Sequence, residues 1–162
     1  MQKVFLFSIC FAMVLTGCKK TVDLEKEKTA VLERSNQWIY AIQNEDAEML
    51  ENIMCDDPEM VFFGTDTQER WIGKDDFMAA QKKFFESTSK SKIEIYNTTI
   101  KLSRSGTVAW TSSMLNWDIL SGEQPMHLEG LRMTFVFEKR NNNWVAVQGH
   151  GSVPVSGQMI KY

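Results

Sequence analysis

His150 and Arg132 are the side chains of this sequence best suited to catalysis. A histidine titrates near pH 6.5, so His150 could serve as a general base at neutral pH. The fixed positive charge of Arg132 could bind an anionic substrate or stabilise developing negative charge. The alternative is a histidine that is hydrogen-bonded to a serine or threonine and transfers no proton. The elements that carry the two residues decide whether they meet in a pocket.

Alternation along the last expected strand would place His150 in a row of mixed polar and aromatic side chains. Successive strand residues point to opposite faces of a sheet. The row comprises Trp144, Ala146, Gln148, His150 and Ser152. Such a row is unusual on a sheet packed against helices and is typical of a lined pocket. On the preceding strand, Arg132 and Thr134 lie opposite Met133 and Phe135.

Few residues of the sequence could hold a metal or a cofactor. The chain has two histidines and three cysteines, and no metal-ligand spacing links them. Glycine-rich phosphate or dinucleotide signatures are absent. We therefore expect no cofactor and no metal. Cys55 is expected to be a buried thiol whose pKa the neighbouring Asp56 and Asp57 raise, and His127 is expected at the surface.

Composition indicates one globular domain rather than a disordered or fibrous chain. The 162 residues are 43% hydrophobic and 24% charged. They include 21 acidic against 18 basic residues, so the clustered positive charge that a nucleic-acid partner needs is missing. We expect no nucleic-acid partner.

The first twenty residues have the pattern of a secretion signal. Lys3 precedes an apolar run over residues 4–15, which is too short to span a bilayer. The four residues from Leu15 to Cys18 resemble the lipobox of bacterial lipoproteins. That resemblance implies cleavage after residue 17 and lipidation of Cys18. An ordinary signal peptide, in which Cys18 is incidental, is the alternative.

The lipobox predicts an address in the bacterial cell envelope. We expect a signal peptide over residues 1–17, a lipidated linker over residues 18–23 and a membrane partner reached through the lipid anchor. Lys19, which follows the lipidated residue, is compatible with the outer membrane and a domain that faces the periplasm.

Apolar periodicity predicts three helices and then mainly strands. The helices are expected over residues 23–44, 46–54 and 74–86. A small hairpin of residues 60–63 and 69–72 precedes the third helix, and four longer strands follow it over residues 92–103, 107–120, 128–140 and 144–153. This order indicates an α+β fold in which helices pack on one face of a curved, mainly antiparallel sheet.

Three segments carry a family resemblance. They are DAEML at residues 46–50, FFGTD with ERW at residues 62–71, and the stretch from LRMT at 131–134 through Trp144 to His150-Gly151-Ser152. With the element order, they resemble the nuclear transport factor 2-like fold, a cone-shaped domain shared by SnoaL-like proteins, over residues 24–155. The last segment also resembles the association domain of calcium/calmodulin-dependent kinase. This fold hosts many unrelated functions.

The resemblance implies an apolar cavity between the concave side of the sheet and the first helix, and a homodimer made through the convex side. The expected lining residues are Trp38, Trp71, Trp110, Arg132, Thr134, His150 and Ser152. Enzymes of this fold place a carboxylate in the cavity, and the nearest carboxylates here are Asp66, Glu69 and Asp118. Asp66 follows Gly64 in a turn, where a hydrogen bond to its own backbone is the simpler role.

We therefore expect a lipid-anchored envelope protein whose domain over residues 24–155, followed by a tail over residues 156–162, binds a small, partly apolar ligand or acts as a homodimeric scaffold. The scaffold function predicts a cavity filled by side chains. The alternative is a cofactor-independent hydrolase, isomerase or cyclase that uses His150 and Arg132. That alternative requires a buried carboxylate within hydrogen-bond reach of His150.

Overall fold

The three helices begin where the sequence supplies a cap or a turn. In the computed structural model, which describes residues 22–157, they are α1 Leu24–Gln43, α2 Ala47–Ile53 and α3 Lys74–Ser87. The carboxylate of Asp23 accepts from the Lys26 amide at 3.1 Å, and that of Asp46 accepts from the Met49 amide at 2.9 Å. Gly73, with φ of 80°, precedes α3 and lets the chain turn from a strand into the helix.

Six strands form one curved sheet. They are β1 Val61–Phe63, β2 Arg70–Ile72, β3 Thr88–Leu102, β4 Val108–Ser121, β5 Gln124–Arg140 and β6 Asn143–Ser152. Their order across the sheet is β2-β1-β6-β5-β4-β3, and every neighbouring pair is antiparallel except β1 with β6. The structure confirms the expected α+β fold. Two strands begin four residues earlier than expected, since β3 starts at Thr88, directly after α3, and β5 starts at Gln124.

The helices cover one side of the sheet, called here the inner face, and the opposite side is the outer face. Phe62 lies at the centre of the core, with its ring centroid 4.7 Å from Phe77, 6.0 Å from Phe135 and 6.5 Å from Trp38. Aromatic pairs at such distances contribute about 0.5–1.5 kcal/mol each beyond their buried area. This cluster ties α1 and α3 to the middle of the sheet.

A β-bulge in β6 changes which side chains face the helices. Val136 of β5 pairs with Gln148, whereas Phe137 pairs with Ala146, so Val147 is an extra residue without a partner on β5. Before the bulge, Ala146 and the other even-numbered residues of β6 are buried. Beyond it, Gly149 and the other odd-numbered residues are buried. The expected single alternation along this strand is therefore wrong.

The inward glycines of β6 make room for the aromatic core. A Cβ atom added at Gly149 would overlap the ring of Phe62, and one added at Gly151 would lie 3.4 Å from the Met133 methyl group. The backbone of β6 thus approaches the core more closely than a strand with side chains at these positions would allow.

A partly buried ion pair joins the start of α1 to the last hairpin. Glu27 Oε1 accepts a 2.5 Å hydrogen bond from Lys139 Nζ, and Oε2 accepts one of 2.9 Å from Trp144 Nε1. The bond from Lys139 is the main reason why the pKa of Glu27 lies below its ordinary value, and burial opposes the shift.

Within residues 22–157, no helix is long and apolar enough to cross a bilayer.

Candidate functional site

A cavity of about 360 Å³ lies between the inner face of the sheet and the helices. Its walls come from the second half of α1, from α3 and from β3, β4 and β5, with the β1–β2 hairpin at one side. Large apolar side chains make most of this wall; they include Trp38, Phe62, Trp71, Phe84, Trp117 and Met133. Such a volume and lining are typical of a small-molecule site.

The aromatic rings of the wall are held in fixed orientations. Trp38 and Phe62 are nearly parallel, with 14° between their planes. The Phe84 and Trp117 rings meet edge to face, 5.6 Å apart, and the indole nitrogen of Trp117 donates a 2.7 Å hydrogen bond to Ser91 Oγ. Because these rings are packed in place before a ligand arrives, the aromatic wall of the cavity is preformed.

One carboxylate, that of Glu69, lies at the hairpin side of the cavity. Its Oε2 atom accepts hydrogen bonds from the backbone amides of Thr65 at 2.5 Å and Asp66 at 2.9 Å, and from the Thr65 hydroxyl at 3.2 Å. A Cβ atom at Gly64 would overlap this carboxylate, so glycine is required where the two cross. The tight turn between β1 and β2 therefore holds Glu69 in place.

Charge in the cavity has one sign. Among the residues that the structure describes, Glu69 is the only ionisable side chain in the wall, and no lysine, arginine or histidine joins it. The other polar lining groups are neutral: Thr65, Gln81, Ser87, Thr88 and Ser121. The cavity thus combines an apolar aromatic surface with a single carboxylate.

Two of the seven expected lining residues, Trp38 and Trp71, line the cavity. The other five, placed there by the sequence analysis, lie on the outer face, so their expected cavity placement is wrong. They are Trp110, Arg132, Thr134, His150 and Ser152. The β6 bulge turns His150 and Ser152 outward. On β4 and β5 the neighbours of Trp110, Arg132 and Thr134 face inward instead, among them Ala109, Leu131 and Met133.

The outer face brings some of these residues together without completing a catalytic group. Thr134 is the Cα partner of His150 and Arg132 that of Ser152, and the His150 ring meets the exposed ring of Phe63 edge to face at 5.8 Å. Within the described residues, no carboxylate hydrogen-bonds to His150. Among residues 22–157 His150 thus has no hydrogen-bonded acid–base partner, and the assignment of His150 and Arg132 to a cavity reaction loses its basis.

Two of the three candidate carboxylates lie outside the cavity. Asp118 faces outward on β4 and binds the Nδ1 atom of His127 at 2.6 Å, and this hydrogen bond raises the pKa of His127. Asp66 accepts from the Gln68 amide at 3.1 Å, which is the main cause of its lowered pKa. These contacts confirm that His127 is at the surface and that Asp66 stabilises its own turn.

A second, polar cleft lies at the other end of the domain, around the end of α2 and the β5–β6 turn. Cys55 in its wall is 1% exposed, and burial raises its thiol pKa, as does the charge of Asp57. Arg140 donates hydrogen bonds to Asp57 and Glu138 and is thereby paired. The prediction that Cys55 is buried with a raised pKa is confirmed, although burial and Asp57 cause the shift and Asp56 does not contribute. Among residues 22–157 no group of three metal-binding side chains occurs.

Sequence reasoning missed Phe84 and Trp117 as cavity walls, and it left Glu69 undecided. The signal for Trp117 was available, because Trp117, Ile119 and Ser121 alternate along β4 and all face inward. The sequence signal for Glu69 was Gly64, five residues before it, because the Glu69 carboxylate lies where a side chain at Gly64 would be.

A helix-covered curved sheet with an apolar cavity between its two layers defines a cone-shaped α+β domain. The chain belongs to the SnoaL-like domain family, whose model matches residues 31–156. No curated protein sequence matches the chain significantly.

Solved structures share this fold. A nuclear transport factor 2-like superfamily protein from Salmonella enterica is 20% identical with a TM-score of 0.74, over 85% of this chain and 99% of that one. A protein named as a dehydratase candidate of the same family, from Streptomyces avermitilis, is 12% identical with a TM-score of 0.73, over 82% and 99%. A protein from Xanthomonas campestris, named as a candidate calcium/calmodulin-dependent protein kinase II association domain, is 19% identical with a TM-score of 0.66, over 78% and 87%. At these identities the likeness shows the fold alone.

Proposed function

We propose that this protein is a lipid-anchored cell-envelope protein whose domain binds a small, partly apolar ligand in the aromatic cavity. The observation that carries this function is the cavity itself: about 360 Å³ of space remains between packed aromatic walls. A purely structural scaffold would fill that space with side chains, because folded cores are close-packed. Buried apolar surface would supply most of the binding free energy.

Two adjacent alanines of α3 allow a matched test. Ala80 lines the cavity, whereas Ala79 is exposed. We expect the wild-type chain from residue 19 to bind the neutral probe naphthylmethanol in isothermal titration calorimetry. Ala80→Phe, which fills the cavity, should weaken binding at least about tenfold, and Ala79→Phe should leave it unchanged. Equal binding by Ala80→Phe would refute the cavity as the site.

The membrane anchor is a separate part of the proposal. Cys18 lies outside the residues that the structure describes, and its support is the lipobox-like sequence from Leu15 to Cys18. In the native organism, Cys18→Ala should leave the protein unprocessed or release it into the soluble fraction. Cys10 lies in the same apolar signal, so Cys10→Ala is the control, and this variant should stay in the membrane fraction. A Cys18→Ala protein that is processed to the mature size and still stays in the membrane fraction would contradict lipidation.

A homodimer made through the outer face is a second candidate property. Its support is the exposure of large apolar side chains there, with Trp110 47% and Phe63 39% exposed. The polar residues between them, including Thr134 and His150, give the mixed composition typical of non-obligate interfaces. Sedimentation should then show a dimer for the wild type and a monomer for Trp110→Lys; a wild-type monomer at high concentration would refute it.

Cofactor-independent catalysis would need other residues than the sequence suggested. His150 and Arg132 lie on the outer face, away from the cavity wall. A reaction in the cavity would have Glu69 as its one ionisable group among the described residues. Binding therefore agrees better with the geometry than acid–base chemistry does.

A further inference from the structure

We propose that the ligand of the cavity is an organic cation, an apolar or aromatic body that carries an ammonium group. This inference rests on the proposed binding function and adds the charge of the ligand to it. The expected charge of the ligand is thus the opposite of the one that Arg132 suggested in the sequence, which was an anion.

The first argument is charge complementarity. Glu69 is the only ionisable side chain in the wall among the described residues, so the protein supplies a negative charge there without a cation beside it. Charges interact more strongly in a partly buried site than in water, because the effective dielectric constant is lower. A ligand cation would be attracted by Glu69, a ligand anion would be repelled, and a neutral ligand would gain neither effect.

The second argument is the geometry of the carboxylate. Its three hydrogen bonds from Thr65 and Asp66 all reach Oε2, and none of the hydrogen bonds among the described residues uses Oε1. The turn therefore fixes the carboxyl group and leaves one oxygen able to accept from an N–H donor. Because the turn already orders the side chain, little conformational entropy is lost when an ammonium group binds.

The third argument is the composition of the rest of the wall. Trp38, Trp71 and Trp117 line the same cavity as Glu69. Tryptophan faces attract cations through the ring quadrupole and also pack well against flat apolar bodies. An ammonium group on an apolar body matches both kinds of surface, whereas a polar cation without such a body would leave the aromatic wall uncovered.

Three probes of one shape test the sign of the ligand on the wild-type protein. They are naphthylmethylammonium, naphthylmethanol and naphthoate, titrated by calorimetry at neutral pH and low salt. We expect the ammonium probe to bind about tenfold more tightly than the alcohol, because a hydrogen bond to a charged group contributes about the free energy that a tenfold change in affinity requires. We expect naphthoate to bind most weakly, because Glu69 repels its carboxylate.

Matched variants assign the preference to Glu69. Glu69→Gln keeps an acceptor oxygen for the turn amides and removes the charge, so the ammonium and alcohol probes should bind equally. Asp66→Asn, which removes a charge from the same turn outside the cavity wall, should keep the preference. Gly64→Ala should reduce it, since the new Cβ displaces the Glu69 carboxylate. Melting temperatures establish that each variant is folded.

The outcomes separate this inference from the proposed function. If the alcohol binds as tightly as the ammonium probe, the inference is overturned while ligand binding stands. If Glu69→Gln is folded and retains the preference, the assignment to Glu69 is overturned. If no probe binds to the folded wild-type chain, both the inference and the binding function fall.

Discussion

Replacing Glu27 by glutamine should destabilise the protein through loss of its ion pair with Lys139. Their side chains are 13% and 23% exposed, so water screens the pair far less than it screens a surface pair. The glutamine oxygen can still accept from the indole nitrogen of Trp144, so only the charged contact is lost. A hydrogen bond between charged groups contributes about 1.5–3 kcal/mol. Because the hydrogen bond from Trp144 is retained, we expect the free energy of unfolding to fall by only about 1–2 kcal/mol.

The pH dependence supplies a second readout. The pKa of Glu27 in the folded protein lies below its ordinary value of 4.5, so its stabilisation is fully present above pH 4.5 and is lost as pH falls through the lowered folded pKa. Urea unfolding followed by tryptophan fluorescence should show a constant gap between wild type and Glu27→Gln near neutral pH. Below pH 4.5 the gap should narrow.

Glu25 provides the matched control on the same helix. It pairs with Lys28 at 2.6 Å, but the Glu25 side chain is 80% exposed. Such surface pairs contribute about 0–1 kcal/mol, so Glu25→Gln should change stability little. Equal losses for the two variants, or a Glu27 gap that persists unchanged well below pH 4.5, would refute the reasoning about burial.

Three further predictions concern other parts of the fold. Phe137→Ala should lower the free energy of unfolding by about 3–5 kcal/mol because it empties a buried site, whereas Tyr40→Ala at an exposed position of α1 should cost about 1 kcal/mol or less in urea unfolding. The NMR titration midpoint of His127 should lie above 6.5 and should move down towards it in Asp118→Asn; an unchanged midpoint would contradict their pairing. In the chain from residue 19, iodoacetamide should leave Cys55 unmodified in the native state and label it fully in urea, and rapid native labelling would contradict its burial.

The helices were predictable because local signals agree with tertiary packing. Helix α1 ends at Gln43, one residue before the expected end, with Asn44 as its C-cap. The caps Asp23 and Asp46 make the hydrogen bonds that their residue types suggest. Turn residues gave the hairpins equally well, with Gly106 and Asn142 at positive φ between long strands. Short-range chemistry therefore determined the element order and, with it, the fold.

The cavity lining could not be derived in the same way, because alternation alone does not say which face of β4 and β5 meets the helices, and because the facing of β6 depends on one residue of register. Val147 is an ordinary strand residue, and nothing in its side chain indicates that it has no partner on β5. A signal did exist two residues later, where Gly149 and Gly151 alternate. Paired glycines on one face of a strand indicate a close approach by a neighbouring ring, here that of Phe62.

The bulge at Val147 also protects β6 against a slip in register. If Val147 paired with Val136, the residues after it would each move by one position along β5, and His150 would turn towards the helices. Gln148 would then occupy the position of Gly149, where even a Cβ atom overlaps the ring of Phe62. The aromatic core therefore tolerates only the bulged register, which keeps the polar side chains of this strand outside the cavity.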